Sequence, residues 1–302
     1  MKRHCKAKIN SLELTISYHC NLTCKGCSHC SPLFKEQFFE IDKELKYLKI
    51  ISQCVDIDIV KLIGGEPLLN KNIDHIINVL KQQKIAKKIF VATNGIFLPK
   101  MSDFFWENID GLEISIYNQS MKNYIVEMVK NKFNFKNKVA YIYCYDKFRY
   151  PFVKNKITDK NLVSHIYRNC LFSNDWQCFN YHDGYFFKCP QSWVLSYLFK
   201  NFSYDSVGVK VEDNKIFKKK LINYILSEEP LISCSYCLGC VGKLFDVQQD
   251  DKICYEKHIA EEYSDYLDYN FLNKIDNNRD ILIDTIYKIV EIREGDIVEN
   301  DV

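Results

Sequence analysis

The first half of the chain alternates between two hydrophobic rhythms. Short stretches rich in β-branched and aromatic residues read as strands: "LELTISY" (Leu12 to Tyr18), "DIDIVKLIGG", "KKIFVATNG", "GLEISIY" (Gly111 to Tyr117) and "KVAYIYCY". Between them lie helical periods. "DKELKYLKIISQ" places Leu45, Leu48 and Ile51 on one face, with Asp42 as N-cap. "NKNIDHIINVLKQQ" repeats the period through Ile73, Ile76, Ile77 and Leu80, and "SMKNYIVEMVKNKF" is a third helix. Such alternation predicts an α/β fold, a parallel sheet covered by helices. A closed eight-fold barrel needs about 250 residues. The alternation spans only about 150, which predicts a partial (β/α)5-6 TIM-like barrel with its chemistry at the carboxyl ends of the strands.

From about Cys170 the pattern changes. "CFNYHDGYFFKC" (Cys178 to Cys189) predicts a β-hairpin turning at Asp183-Gly184, "CSYCLGC" (Cys234 to Cys240) follows, and the tail "RDILIDTIYKIVEIR" has a helical period. The expected division is a barrel core over 1–165, a small domain of hairpin and helices over 166–245, and a helical segment over 246–302. There is no internal repeat and no low-complexity linker.

Composition excludes several classes. A hydrophobic fraction of 47% supports a sizeable core, and a net charge of +2 gives no electrostatic footprint for nucleic acid. No apolar run reaches the roughly 18 residues of a membrane helix. The basic start "MKRHCKAKIN" has no apolar stretch behind it, so it does not read as a secretory signal. The expectation is a cytoplasmic protein with neither membrane nor nucleic acid as partner. Its 14 cysteines then point to metal or cluster ligation rather than disulfides. They gather at 20–30 and at 170–240, while Cys5, Cys54, Cys144 and Cys254 are scattered and read as core or surface residues.

Cys20-x3-Cys24-x2-Cys27 puts three thiols on a tight loop after the first strand. Soft sulfur suits an iron–sulfur cube, and three ligands leave its fourth iron open. The overlapping CxxC pairs of "CKGCSHC", with His29 and Cys30, also admit zinc. Further distinctive residues sit at later strand ends: Gly64-Gly65-Glu66-Pro67 after the second, and Thr93-Asn94-Gly95 after the third. Glu113 and Ser115 share one face of the fourth strand. Glycines let backbone approach a ligand closely, and a carboxylate suits an ammonium group.

In this order the set resembles the radical S-adenosylmethionine (SAM) superfamily, over about residues 10–150. The resemblance implies that Cys20, Cys24 and Cys27 hold a [4Fe–4S] cluster whose open iron chelates the methionine part of SAM. Reductive cleavage of SAM then yields a 5′-deoxyadenosyl radical that abstracts hydrogen from substrate. It also implies that the diglycine backbone and Glu66 meet the SAM amino group, and that Thr93, Asn94, Glu113 and Ser115 contact its ribose and carboxylate. One departure is Gly26, where the superfamily often carries an aromatic residue against the adenine; Tyr18 or an apolar neighbour is expected to compensate. Cys30 and His29 are read as bystanders.

Six cysteines remain: Cys170, Cys178, Cys189, Cys234, Cys237 and Cys240. Taken alone they fit a structural zinc on Cys189, Cys234, Cys237 and Cys240 as readily as a cluster. Gly184-x4-Cys189 followed by a distant CxxC is similar to the auxiliary-cluster extensions of radical SAM enzymes, the SPASM and shorter twitch types. That likeness implies a second [4Fe–4S] cluster on Cys170, Cys189, Cys234 and Cys237, with Cys178 and Cys240 as alternatives.

A fully ligated second cluster can take an electron from a substrate radical. The leading expectation is therefore a radical SAM oxidoreductase that dehydrogenates or rearranges a hydroxylated small molecule: a sugar, nucleotide sugar or cyclitol. Its reductant is an external flavodoxin or ferredoxin, since no flavin motif is present. The alternative is modification of a ribosomally made peptide, although the 19 residues before Cys20 leave no room for a separate leader-binding domain. A third reading is a non-catalytic zinc-binding protein. A tyrosine, Arg149, His165, Arg168 or His182 could each serve as proton carrier, but nothing in the sequence singles one out.

Overall fold

The computed structural model describes residues 6–133, 138–199, 202–249, 259–276, 287–293 and 296–300. It opens with β1 (Ala7–Ser17), α1 (Ile41–Cys54), β2 (Val55–Gly64), α2 (Ile73–Gln82), β3 (Lys88–Thr93), α3 (Asp103–Asn108), β4 (Gly111–Ile116), α4 (Lys122–Lys132) and β5 (Val139–Tyr145). Then follow β6 (Lys147–Arg149), α5 (Lys160–Arg168), β7 (Cys178–His182), β8 (Tyr185–Phe187), α6 (Pro190–Phe199), α7 (Tyr204–Val207), β9 (Gly208–Lys210) and α8 (Lys215–Leu226). The described chain closes with β10 (Leu244–Asp246), α9 (Tyr263–Tyr266), α10 (Tyr269–Ile275), β11 (Tyr287–Arg293) and β12 (Asp296–Asn300).

The sequence rhythm is realised directly. Along β1, Leu12, Leu14 and Ile16 enter the main core under the helices, while Ser11, Glu13, Thr15 and Ser17 alternate onto the opposite face. On α2, Ile73, Ile76, Ile77 and Leu80 are buried, and Asp74 in the first turn and Lys81 in the last complement the helix dipole. On α1 the N-cap is Glu40, and Asp42 lies in the first turn instead of at the cap.

One ten-stranded sheet carries this core, in the order β12-β11-β5-β4-β3-β2-β1-β7-β8-β9. The strands from β5 through β1 to β7 are parallel, six in all. Among the described residues the order is linear and the sheet does not close on itself, which is a partial barrel.

Two expectations change. The β7–β8 hairpin exists, and its turn has Asp183 and Gly184 at φ 45° and 77°. It does not stand apart in a small domain, however. β7 pairs in parallel with β1, Leu12 opposite Phe179, and supplies the sixth barrel strand, so a boundary at 165 cuts the core sheet. The tail expected to be helical forms strand β11 over Tyr287–Arg293, antiparallel to β5 with Ile292 opposite Ala140. A run of β-branched residues beside an open strand edge gains a full hydrogen-bond ladder there, and that outweighs a helical period. The earlier part of that tail, 279–286, lies outside the described residues.

A second core stands beside the sheet's carboxyl end. Val153, Ile166, Leu238, Val241, Phe271 and Leu272 join α5 and α10 to the cysteine-rich loop. Cys54 and Cys144 are buried in the main core, while Cys5 and Cys254 lie outside the described residues. No helix among the described residues is long and apolar enough to cross a membrane.

Candidate active site

A cavity of about 350 Å³ opens at the carboxyl ends of the parallel strands, and one wall carries Cys20, Cys24 and Cys27. The loop bearing them leaves β1 after a register break between Thr15 and Ser17. It is pinned by the second strand end: the Gly65 N–H donates to the Ser17 carbonyl at 2.8 Å and the Glu66 N–H to the His19 carbonyl at 3.1 Å. A Cβ on Gly64 would lie 2.0 Å from the Ser17 carbonyl oxygen, and one on Gly65 2.1 Å from that of His19. The diglycine is therefore required first by the cysteine loop's own backbone.

Burial pushes the Cys20 thiol up to about 12 and the Cys24 thiol to about 11, and the neighbouring sulfurs add to both. A group of thiols that cannot all ionise alone suits cations that replace their protons. Polar hydrogens already point at them. The Leu22 N–H and the Asn94 amide reach the Cys20 sulfur at 3.4 and 3.7 Å, and Asn94 also donates to the Asn21 side-chain oxygen at 2.8 Å. Among the described residues no three His, Cys, Asp or Glu side chains are gathered as a single-ion site. The first group nonetheless fits a cube: three thiols on one wall, donors behind them and open cavity in front.

The other residues singled out in the sequence divide. Gly64, Gly65, Thr93, Asn94, Glu113 and Ser115 line the cavity. Glu66 and Pro67 do not. Glu66 is fully buried, with one oxygen accepting from the Thr93 hydroxyl at 2.6 Å and the Leu68 N–H at 3.0 Å, and the other from the Asn94 N–H at 2.8 Å. Burial raises its pKa to about 7 against those donors. Its role here is to tie the second strand end to the third. Pro67 sits at the start of a buried 3-10 turn. Cys30 is buried in the aromatic core beside Phe34 and Trp193, and His29 is half-buried at the cavity with its Nε2 enclosed and unpartnered and its pKa lowered to about 4 by desolvation.

Gly26 has φ 70°, and a Cβ there would lie 2.5 Å from the ring of Phe245. Phe245, on β10, covers the place where the sequence lacks a side chain. Tyr18 does not; it donates to or accepts from His182 at 3.2 Å and lines a second pocket with Phe34, Trp193 and Tyr204.

The cavity floor is polar and charged, with Glu13 and Lys61 beside the expected Glu113 and Ser115. The Lys61 ammonium bridges to Glu113 at 2.8 Å and faces Glu13. Burial works against that charge, yet Glu113 and Glu13 hold the Lys61 pKa above its usual value. One Glu13 oxygen is buried without a partner, and burial raises its pKa to about 7. Cys178 belongs here: its neighbours are Glu13, Lys61 and Glu113, and burial pushes its thiol well up. The signal was available, since Glu13 and Lys61 are charged residues at the positions of β1 and β2 that alternate away from the main core.

The second thiol group reaches the same cavity through Cys237 and Cys240. Cys170 follows α5, Cys189 follows β8, and Cys234, Cys237 and Cys240 lie on the loop before β10. These five act on one another: Cys170, Cys234 and Cys189 all raise Cys237, after burial. A hydrogen bond from Cys240 lowers Cys170, and that bond and burial raise Cys240. Gly239, at φ 54°, brings its backbone close to the Cys170 sulfur, 3.7 Å from a built Cβ. Cys237 and Cys240 line the same cavity as Cys20, Cys24 and Cys27. His165 pairs with Asp276 at 2.5 Å, and Arg149 donates to the Gly242 carbonyl at 2.8 Å; of the proton-carrier candidates Arg149 lines the cavity, as do the tyrosines Tyr117 and Tyr145, and His165, Arg168 and His182 do not.

Residues 14–140 match the family model of the Radical SAM superfamily, so the chain carries that domain across the first thiol group and strands β2 to β4. Among curated proteins it is similar to the GTP 3′,8-cyclase of Synechocystis sp., 32% identical over 120 residues, which cover 39% of this chain and 36% of the relative. The GTP 3′,8-cyclase of Helicobacter pylori strain 26695 is 28% identical, covering 43% and 40%. The probable GTP 3′,8-cyclase of Methanocaldococcus jannaschii is 29% identical, covering 43% and 46%. The chain thus spans less than half the length of these relatives.

Proposed function

We propose that the chain is a radical SAM enzyme that acts on a hydroxylated small molecule held between two iron–sulfur clusters. The observation that carries this is one cavity lined by Cys20, Cys24 and Cys27 of the first thiol group, by Cys237 and Cys240 of the second, and by the charged Glu13, Lys61 and Glu113. Cys20, Cys24 and Cys27 would hold the first [4Fe–4S] cluster, with SAM against Gly64, Gly65, Thr93 and Asn94. When bound, that cluster supplies the electron that cleaves SAM to the 5′-deoxyadenosyl radical. Cys170, Cys189, Cys234 and Cys237 would hold a second, twitch-type cluster, with Cys240 as the alternative fourth ligand. An external flavodoxin or ferredoxin would serve as reductant.

The chain's own residues suggest how a substrate is held. Glu113 and Lys61 neutralise each other, and the free oxygen of Glu13 can accept a hydrogen bond from a hydroxyl or amino group. With its pKa near 7, Glu13 can also take up the proton that a hydroxyl-bearing carbon radical sheds on oxidation. Tyr117, Tyr145 and Phe148 offer ring faces above that floor. These features favour net dehydrogenation of a sugar or cyclitol.

A second reading follows the relatives' name, GTP cyclisation. Among the described residues the cavity lining holds two cations, Lys61 and Arg149, and two carboxylates, Glu13 and Glu113. That balance gives a triphosphate little to bind, so the first reading is preferred. The test is anaerobic reconstitution with iron and sulfide, followed by SAM cleavage assays with aminocyclitols, nucleotide sugars and GTP. About eight irons, falling to about four in a Cys20, Cys24 and Cys27→Ala variant, would support two cubes. Turnover of GTP alone would replace the first reading with the second, and protein holding zinc and no iron would sink both.

A further inference from the structure

A short strap runs from the second thiol group back to the first. Nine residues after Cys240, Gln249 forms an antiparallel bridge with Cys24, and the Lys25 N–H donates to the Gln248 carbonyl at 2.9 Å. The Gln249 side chain is oriented at both ends. Its oxygen accepts from the Thr23 N–H at 2.8 Å, and its amide nitrogen then points at the Cys24 sulfur, 3.0 Å away. Because a backbone N–H can only donate, the oxygen must face Thr23 and the NH2 group must face the sulfur. The strap is anchored on both sides: β10 pairs with β6, with Phe245 opposite Phe148, and the Phe245 ring fills the space over Gly26.

We propose that Gln249 is a positioning residue for the first cluster, donating to the Cys24 thiolate and raising the cluster's reduction potential. This rests on the reading that Cys20, Cys24 and Cys27 hold a cluster. The physical reason is charge. A donor aimed at a ligand sulfur stabilises the reduced, more negative state more than the oxidised one. A cluster that must be reduced by an external protein before it can act gains from such a donor. The geometry also makes the donor conditional, since it arrives on the segment that leaves the second thiol group.

The experiment uses the full chain, anaerobically reconstituted, as wild type, Gln249→Leu and Gln249→Glu. Each is titrated potentiometrically while the EPR signal perturbed by SAM is followed, and iron is counted in parallel. Leu removes the donor. Glu keeps an acceptor for Thr23 and turns a second oxygen toward the sulfur, so it guards against a mere packing defect in the Leu variant. The expected result is unchanged iron, with the reduced-to-oxidised ratio at fixed potential falling about tenfold in Gln249→Leu, about 59 mV for one electron, and further in Gln249→Glu. Equal midpoints at equal iron would overturn the inference. So would loss of first-site iron in both variants, since the residue would then serve assembly and not potential. The Cys20, Cys24 and Cys27→Ala control separates these results from failure of the underlying reading: if it keeps all the wild type's iron, there is no first cluster to tune.

Discussion

At the scale of single residues, buried carboxylates dominate the site's behaviour. Glu13 and Glu66 are each raised to about 7 by burial, above the ordinary carboxylate value of 4.5. A folded-state pKa above the unfolded one means the folded chain holds its proton more tightly. The associated stability is full below about 4.5 and is lost as pH rises toward 7. Glu13 can be isolated because one of its oxygens has no partner to lose. In urea unfolding of the apo chain between pH 4.5 and 8, wild type should lose stability relative to Glu13→Gln as pH rises. Parallel curves would mean that Glu13 is ionised and solvated in the fold. Gly65 carries a different kind of constraint. The sequence suggested that its missing Cβ admits a ligand, but the atom 2.1 Å from that position is the His19 carbonyl oxygen. Gly65→Ala should therefore displace the cysteine loop and cost the first cluster, about four irons, while the second keeps its own. Full iron retention with weaker SAM binding would restore the ligand-approach explanation.

At the scale of elements, legibility followed the range of the interactions. The five strands from β1 to β5 and the helices α1, α2 and α4 are local patterns whose partners lie next in sequence, and they stood in the sequence near their observed bounds except at β1, which begins at Ala7 and not at Leu12. β7 was visible as half of a hairpin, but its parallel partner β1 lies more than 160 residues earlier, as with Leu12 and Phe179, and no local signal carries that pairing. β11 was misread because Ile289, Val290 and Ile292 suit either period until an open strand edge is available. The cysteine spacings were legible as two groups, whereas the assignment of Cys178 to the floor depended on β7 and was hidden with it. The strap around β10 was the least legible of all, being three residues of strand defined only by β6 and the cysteine loop. Its packing can be tested as an element. Gly26→Ala meets both a left-handed φ and the Phe245 ring, so it should destabilise the chain by about 2 kcal/mol. In a Phe245→Ala background the steric part disappears and only the cost of the backbone conformation, about 1 kcal/mol, should persist. Equal costs in both backgrounds would show that Phe245 does not bear on Gly26 in solution.

At the scale of the whole molecule, the sheet, the loop after β1 and the cysteine-rich segment of the small second core line one cavity. The face of β1, β2 and β4 that carries Glu13, Lys61 and Glu113 supplies the floor, the loop after β1 lines it with Cys20, Cys24 and Cys27, and the segment from Cys170 to Cys240 lines it with Leu171, Phe172, Cys237 and Cys240. This arrangement makes a distribution of metal that is specific to it. If Cys178 is a floor residue hydrogen-bonded to Glu13, then Cys178→Ser should retain every iron of the reconstituted wild type and change only turnover. Cys189→Ser and Cys234→Ser should each lose about four irons and the spectral features of the second site. Cys170 and Cys240 share one hydrogen bond, so only one of them needs to be a ligand and the other a donor to it. Serine at the ligand should empty the site, and serine at the donor should leave iron bound with a shifted potential. Iron analysis and redox titration of the two serine variants decides between them. If both retain four irons at an unchanged potential, the second cluster does not use this pair, and this part of the cavity lining is structural.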